Sequence, residues 1–328
     1  MSSQHLFFNS QRYQSTLPGP RIIITGAVHG NEICGTLAIR RVIAEIDAGI
    51  IQIASGCVTF VPVTNPLAYQ RGERQGDRNL NRRLLPTPTP LEFEDHIANW
   101  LCPLLAEHDV LLDLHSFRGE GEAFVLVGPE NNDGDIEPFR HAEAELAMAR
   151  RLGVHRMVDG WLSTYARGVA RRQQRLGPDA DARMLANANT QFGVGTTEYI
   201  RSVGGYAVTL ECGQHLDPQA PEVAYRAIIN TLTHLGIIKA DHSIAPQAME
   251  TLRIYDVIDK LHDDDHFVRE WRSFDEVKKG DLIGLRHDGI EVRAEMEGRM
   301  IFPDAGAHCG EEWFYITRYS DRIQKENA

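Results

Sequence analysis

Three short stretches of this 328-residue chain carry side chains able to hold a metal ion or move a proton. The first, Thr25-Gly26-Ala27-Val28-His29-Gly30-Asn31-Glu32, is a glycine-flanked His-x-x-Glu that follows the apolar run Ile22-Ile23-Ile24. The second, Leu111-Leu112-Asp113-Leu114-His115-Ser116, and the third, Ala207-Val208-Thr209-Leu210-Glu211-Cys212-Gly213, also end apolar runs in ionisable residues. Two histidines and two glutamates are a sufficient set for a catalytic zinc with two His and one carboxylate as ligands. One carboxylate is then left to act on the metal's water.

Each residue alone has a plainer reading. His29 could be a turn histidine, His115 a satisfied histidine at a strand end, and Glu211 a salt-bridged core carboxylate. His-x-x-Glu occurs twice, at His29/Glu32 and His308/Glu311, and the second lies far from other candidate ligands, which marks it as incidental. Asp113 would share the strand face of His115 and could orient its imidazole from behind. The glycines beside His29 are expected to let the backbone turn sharply.

These residues must be positioned by an α/β frame. Residues 21–25 and 57–63 read as strands, with a helical pattern over 33–48 between them. Such a strand–helix–strand unit predicts parallel pairing. Helices are expected near 92–107, 139–152 and 221–235, and strands at 109–115, 122–127 and 206–211. In open α/β sheets, ligands bind beyond the carboxyl ends of strands, where His29, His115 and Glu211 all fall. Residues 84–90 read as an extended surface loop, and 155–205 as long loops with short helices. After about residue 245, short alternating runs separated by turn signals indicate a small antiparallel β domain. The expected fold is α/β, with a mixed, largely parallel sheet covered by helices on both faces and a small C-terminal all-β domain. The expected division is 1–245 and 246–328.

The segment from Gln70 to Arg83 holds five arginines in a chain of net charge −12. A run of charge is usually a solvated loop, yet this one follows a strand and the turn Thr64-Asn65-Pro66, on the rim of the metal candidates. Arginine forks suit carboxylates, and an acidic protein needs a local positive patch to attract an acidic substrate. Arg201, ten residues before Glu211, could add a further clamp. The net charge argues against nucleic acid or an anionic membrane as partner. No stretch approaches the roughly 18 apolar residues of a membrane helix, the start Met1–Asn9 lacks signal-peptide character, and five scattered cysteines suit a reduced, cytoplasmic setting.

His29-x-x-Glu32, Arg74, Asn79-Leu80-Asn81-Arg82, Asp113-Leu114-His115 and Glu211-Cys212-Gly213, in this order, resemble the succinylglutamate desuccinylase/aspartoacylase family of the zinc carboxypeptidase-like superfamily. The resemblance implies that His29, Glu32 and His115 bind one zinc ion per chain. Glu211 would be the general base that deprotonates the zinc water and later protonates the leaving amine. It implies that Arg74 polarises the amide carbonyl and holds the oxyanion, that Asn81 and Arg82 grip the substrate's carboxylate, and that Arg201 binds a carboxylate too. Where the family usually has Asp, position 79 is Asn, which is expected to alter how Arg74 is held. The implied activity is zinc-dependent removal of an acyl group from a small anionic N-acyl amino acid, with homo-oligomers left open. A metallocarboxypeptidase acting on short peptides and a non-catalytic binding protein on the same fold are the competing readings.

Overall fold

The structure is a computed structural model that describes residues 6–177, 185, 188–239 and 243–323. Its frame is an 11-stranded sheet in the order β1-β3-β2-β4-β7-β5-β6-β8-β14-β13-β10. The central strands are β2 (Arg21–Gly26), β3 (Cys57–Val61), β4 (Val110–Phe117) and β7 (Tyr206–Gln214). These four run parallel, with β1 (Gln11–Gln14) antiparallel on the outer edge of β3. The sheet turns mixed at β5 (Phe124–Val127), which lies antiparallel to β7 and parallel to β6 (Arg156–Asp159).

Alternation along the parallel strands splits the core into two layers. Ile22 and Ile24 join one cluster and Ile23 the other, and none of the three is exposed. That is why β2 reads as an unbroken apolar run rather than an alternating one. The first layer is closed by α1 (Cys34–Asp47), α4 (Ala142–Ala149) and α7 (Ala220–His234). The second is closed by α3 (Phe93–Ala106) together with Ile200 of α6 (Thr196–Ser202). Helices therefore cover both faces, as the sequence pattern requires. Leu84, expected in a surface loop, is fully buried in this second layer, and its amide donates to the Val194 carbonyl at 3.0 Å. An apolar side chain at the head of a proline-rich stretch anchors it.

Residues 155–205 depart from expectation in part. They contain β6 and the 15-residue helix α5 (Trp161–Arg175), besides α6 and a short 3₁₀ turn at Thr190–Gly193. Arginines on the outer face of α5 hide its amphipathic stripe, while Leu162, Tyr165 and Val169 form its buried side. The stretch 178–184 and residues 186 and 187 lie outside the described residues, as do the first five residues of the start expected to lack signal-peptide character.

The C-terminal region is antiparallel, as its turns suggest. However, β8 (Glu250–Asp259) pairs parallel with β6, and β14 (Glu312–Tyr319), β13 (Gly298–Ile301) and β10 (Glu276–Val277) extend the same sheet. A separate three-stranded sheet holds β9 (His266–Phe267), β11 (Leu282–Leu285) and β12 (Glu291–Arg293). One apolar cluster contains Phe117, Phe124 and Val158 together with Leu252, Ile254, Val257 and Tyr315. The proposed division at 245/246 thus runs through a shared core. No helix among the described residues is long and apolar enough to cross a membrane.

A chain ending at residue 245 would expose the β6 edge and the Phe117, Phe124 and Val158 side of that cluster. It is expected to be recovered as aggregate. Soluble, cooperatively melting protein from such a truncation would contradict the shared core.

Candidate metal centre

The three motif-bearing strands end level with one another. In register, Thr25 sits opposite Asp113, and His115 opposite Glu211. The β2 end then turns through Ala27, whose φ of 47° lies in the left-handed region that non-glycine residues rarely adopt. The flanking glycines serve a different purpose from the one expected. A Cβ at Gly30 would lie 2.0 Å from the Ala68 carbonyl carbon, and one at Gly26 would lie 2.9 Å from that of Gly35. They supply room for close backbone approach, while Ala27 takes the unusual dihedral angle. Backbone strain of this kind collects where surrounding packing enforces it, often at functional sites.

This turn brings His29 and Glu32 against His115. The Glu32 carboxylate lies between the two imidazoles, with Oε1 2.8 Å from His29 Nδ1 and Oε2 2.8 Å from His115 Nδ1. Ligand atoms of the three residues all fall within 4.8 Å of one another, and all three side chains are buried. Arg74 Nη1 donates to Glu32 Oε1 at 3.1 Å, and the Ser116 amide donates to Oε2 at 3.2 Å.

The far side of each ring decides its tautomer. His29 Nε2 faces Asn79 Oδ1 at 3.0 Å, and that oxygen also accepts the Asn81 amide at 2.9 Å, which fixes it as an acceptor. His115 Nε2 faces Asp113 Oδ2 at 2.9 Å. Both Nε2 atoms must therefore carry hydrogen, and both Nδ1 atoms face the carboxylate. Nitrogen and oxygen lone pairs opposed at 2.8 Å call for a cation between them, either a proton or a metal ion. Burial, followed by the nearby Arg74, pushes the His29 imidazole down to about 4, so a proton is a poor candidate there at neutral pH. Burial alone would lower His115 too, but Asp113 and Glu32 outweigh it and hold that ring well above its usual range. Burial alone would raise Glu32, but His29 and His115 hold it well below the carboxylate range. Two imidazoles with oriented second nitrogens and one carboxylate suit a divalent ion.

Asp113 is itself held. Thr25 Oγ1 donates to its Oδ1 at 2.6 Å, and Thr196 Oγ1 donates to its Oδ2. Asn79 touches His29 rather than Arg74, so the residue at position 79 bears on the ring, and Arg74 is held by Glu32 instead. Glu211 lies beside His115, buried, and its Oε2 has no hydrogen-bond partner. Burial pushes its carboxyl up to about 8, against the pull of His115.

The other expected residues are dispersed. Asn81 Oδ1 accepts the Thr196 amide at 3.0 Å, which ties the arginine-rich segment to α6. Arg82 is nearly buried, with its guanidinium 5.1 Å from the Trp161 ring and its Nη1 donating to the Asn81 carbonyl at 2.9 Å. Arg201 does not join the centre. Its fork holds Glu145 at 2.9 Å, Glu137 at 2.9 Å and Glu198 at 3.5 Å, beside a cavity of about 400 Å³, so its charge is already answered within the protein. His308 is exposed, on the loop before β14, and joins no ligand group among the described residues. Sequence reading overlooked His215, which is hydrogen bonded through Nδ1 to Ser116 Oγ at 2.8 Å. Its place four residues after Glu211 on the same strand end was the available signal.

The catalytic-domain family described as succinylglutamate desuccinylase/aspartoacylase matches residues 18–235. The chain belongs to this family. A curated relative, N-alpha-acetyl-L-2,4-diaminobutyric acid deacetylase of Halomonas elongata, is 34% identical over 104 residues, 30% of this chain and 29% of that protein. The chain thus spans under a third of that relative's length. Among solved structures, product-bound ectoine utilization protein EutE (DoeB) from Ruegeria pomeroyi superposes with a TM-score of 0.67 at 21% identity. It covers 94% of this chain and 88% of its own. A succinylglutamate desuccinylase from Silicibacter sp. TM1040 gives 0.67 at 19% identity, covering 96% and 89%. At these identities the structures establish the shared fold.

Two outcomes test the centre. Metal analysis of purified protein is expected to find about one divalent ion per chain, and His115→Ala is expected to lose it; equal content in both would remove the centre. In metal-free protein, folded Glu211 holds its proton up to about 8, against an ordinary value of 4.5. The raised value makes ionisation costly in the folded state, so stability falls as pH rises from 4.5 toward 8. Glu211→Gln lacks that loss, and its melting temperature should gain on wild type across this range. A pH-independent difference would refute the buried, perturbed carboxyl.

Proposed function

We propose that this protein is a zinc-dependent amidohydrolase that removes the acyl group from a small N-acyl amino acid. The observation that carries this reading is the convergence of His29 Nδ1, Glu32 and His115 Nδ1 beside Glu211, a buried carboxylate with one oxygen unpartnered. The family membership and the Halomonas relative's name, a deacetylase of an N-acetylated amino acid, support it. His29, Glu32 and His115 would hold the metal. When bound, zinc would act as a Lewis acid on the amide carbonyl and lower the pKa of water toward about 7.

The chain's own groups account for the proton traffic. Glu211 Oε2 accepts a proton from the attacking water, whose oxygen bonds to the acyl carbon. As the C–N bond breaks, Glu211 returns that proton to the leaving amine, so one carboxyl acts as base and then as acid. A nearby divalent charge lowers the pKa of such a carboxyl, making it a base at neutral pH. Arg74 is half-exposed and anchored on Glu32, which directs its remaining donors toward the negative charge that develops on the carbonyl oxygen. Asp113, Asn79 and Ser116 hold the ligands in place and touch no substrate. Asn81 and the free donors of Arg82 are assigned the substrate's carboxylate, which fixes the amide over the nucleophile.

A hydrolysis screen over acetyl, succinyl and longer acyl derivatives of acidic and neutral amino acids, with a blocked dipeptide alongside, tests the class. Release of free amino acid from an N-acyl amino acid, at rates well above those for the dipeptide, is expected. Glu211→Gln should lower kcat by about 10³-fold or more while metal content stays unchanged. Turnover retained in that variant would eliminate Glu211 as the base, and a preference for the dipeptide would make the protein a carboxypeptidase.

A further inference from the structure

Beside α6 the chain closes a cavity of about 400 Å³, between the loop after β5 and the start of α5. That volume suits a small molecule, and none of His29, Glu32 and His115 belongs to its wall. The wall rests on a cluster of four charged side chains. Arg201 Nη1 meets Glu137 Oε1 at 2.9 Å and Glu198 Oε1 at 3.5 Å, and Arg201 Nε meets Glu145 Oε2 at 2.9 Å. Glu145 and Glu198 have further donors. Glu145 Oε2 accepts the Ala207 amide at 3.0 Å, and Glu198 accepts the Gly195 amide at 2.9 Å and the Thr197 hydroxyl at 3.0 Å. Glu137 differs from both. It lies on the loop after β5, lines the cavity and keeps 13% of its side chain exposed. Its Oε1 takes the Arg201 bond, and its Oε2 accepts no hydrogen bond among the described residues.

One guanidinium thus faces three carboxylates, and unbalanced charge is costly to bury. The cost shows on Glu137. Burial pushes its carboxyl up to about 7, against the pull of Arg201, and Glu198 and Glu145 add to the rise. The cluster is short of positive charge on the side that opens into the cavity. A carboxylate ligand, the kind expected for Arg201 from its place in the sequence, would bring a fourth negative charge. An ammonium would supply what is missing. Glu130 and Asp135, both exposed, also line the cavity and favour the same sign. Arg253, the other cation of the wall, is drawn to Asp159, with Nε 3.8 Å from its Oδ1. Trp161 adds an indole to the lining, and the face of an indole attracts cations.

We propose that this cavity is a binding site for a primary ammonium group, held by Glu137 Oε2 and the Trp161 ring and distinct from the metal centre. Trp161 links the site to the chemistry. Its ring also lies 5.1 Å from the Arg82 guanidinium, so one indole separates the cavity from a residue assigned the substrate's carboxylate. The ammonium has two possible sources: a free amine, or the end of a substrate's own side chain that reaches past Trp161. The site itself stands without the catalytic reading, and only the second source rests on it.

Calorimetric titration of n-butylammonium into the full-length protein tests the site, with butyrate as the probe of opposite charge. Butylammonium is expected to bind saturably, and Glu137→Gln should weaken it at least about tenfold. Butyrate should not compete. Ser163→Phe narrows the cavity from α5 without removing a charge from the Arg201 cluster. It should block binding too, and it serves as the check if Glu137→Gln is unstable. No saturable binding, binding unmoved by Glu137→Gln or by Ser163→Phe, or competition by butyrate would overturn the site. Nα-acetylornithine and N-acetylnorleucine have side chains of nearly equal shape that differ by one charge, and they identify the source. If the ammonium belongs to the substrate, kcat/KM favours the ornithine compound, and Glu137→Gln lowers that ratio at least about tenfold. A ratio that Glu137→Gln leaves unchanged, with butylammonium binding lost, assigns the site to a free amine. Hydrolysis of neither compound counts against the amidohydrolase reading alone, since calorimetry decides the site independently.

Discussion

The site depends on one carboxylate that is shared by two rings. Glu32 meets His29 and His115 through different oxygens, and each ring is turned so that its Nδ1 points inward. Everything behind that contact serves to hold it. Asn79 and Asp113 occupy the outer nitrogens, Thr25 and Thr196 hold Asp113, and the Ser116 amide steadies the carboxylate. With the His29 imidazole pushed down to about 4, its Nδ1 faces a buried anion without a proton at neutral pH, which is a poor arrangement without a positive ion. The surrounding hydrogen bonds remove the easy escape, which is ring rotation. The protein thus spends structure on keeping the three ligands in an arrangement that favours an added cation.

Much of this was legible in the sequence because it follows from local patterning. Apolar runs that end in His, Glu or Asp identify strand ends, and parallel strands in an α/β sheet present those ends on one side. The register that sets His115 opposite Glu211 is the physical form of that rule. The orienting role of Asp113 was visible too, since two residues along a strand return to the same face. The role of the glycines was not, because whether a glycine supplies a dihedral angle or an empty volume depends on what packs against it. For Gly30 that is Ala68, 38 positions away. Arg201 illustrates the same limit. An arginine at a suggestive spacing reads as a carboxylate ligand, but the carboxylates it meets, Glu137, Glu145 and Glu198, come from its own chain. Helix α5 was hidden by charge on its outer face, and Glu312, whose oxygens lie 3.3 Å from Arg172 Nη2 and 3.8 Å from Arg82 Nη2, carries no local signature at all. Its place beside those arginines comes from long-range pairing of β14 with β8.

That pairing also revises the picture of the C-terminal region. Four of its strands, β8, β14, β13 and β10, continue the main sheet from β6, and residues of β8, β13 and β14 complete a cluster begun by β4 and β5. The region therefore shares a sheet and an apolar cluster with the strands that carry the metal centre, even though the family match ends at residue 235. Among the described residues, the three-stranded sheet of β9, β11 and β12 stands outside the main sheet.

The placement of Glu312 separates two kinds of change. The groups that would break the amide bond lie within residues 29–211, on strand ends whose positions are mutually locked, so nearly any change there disturbs several partners at once. Glu312 sits at the first position of a strand outside that stretch and contacts the arginines only through its side chain. Substitutions there can change the charge balance around Arg82 and Arg172 while the contacts among His29, Glu32 and His115 stay intact.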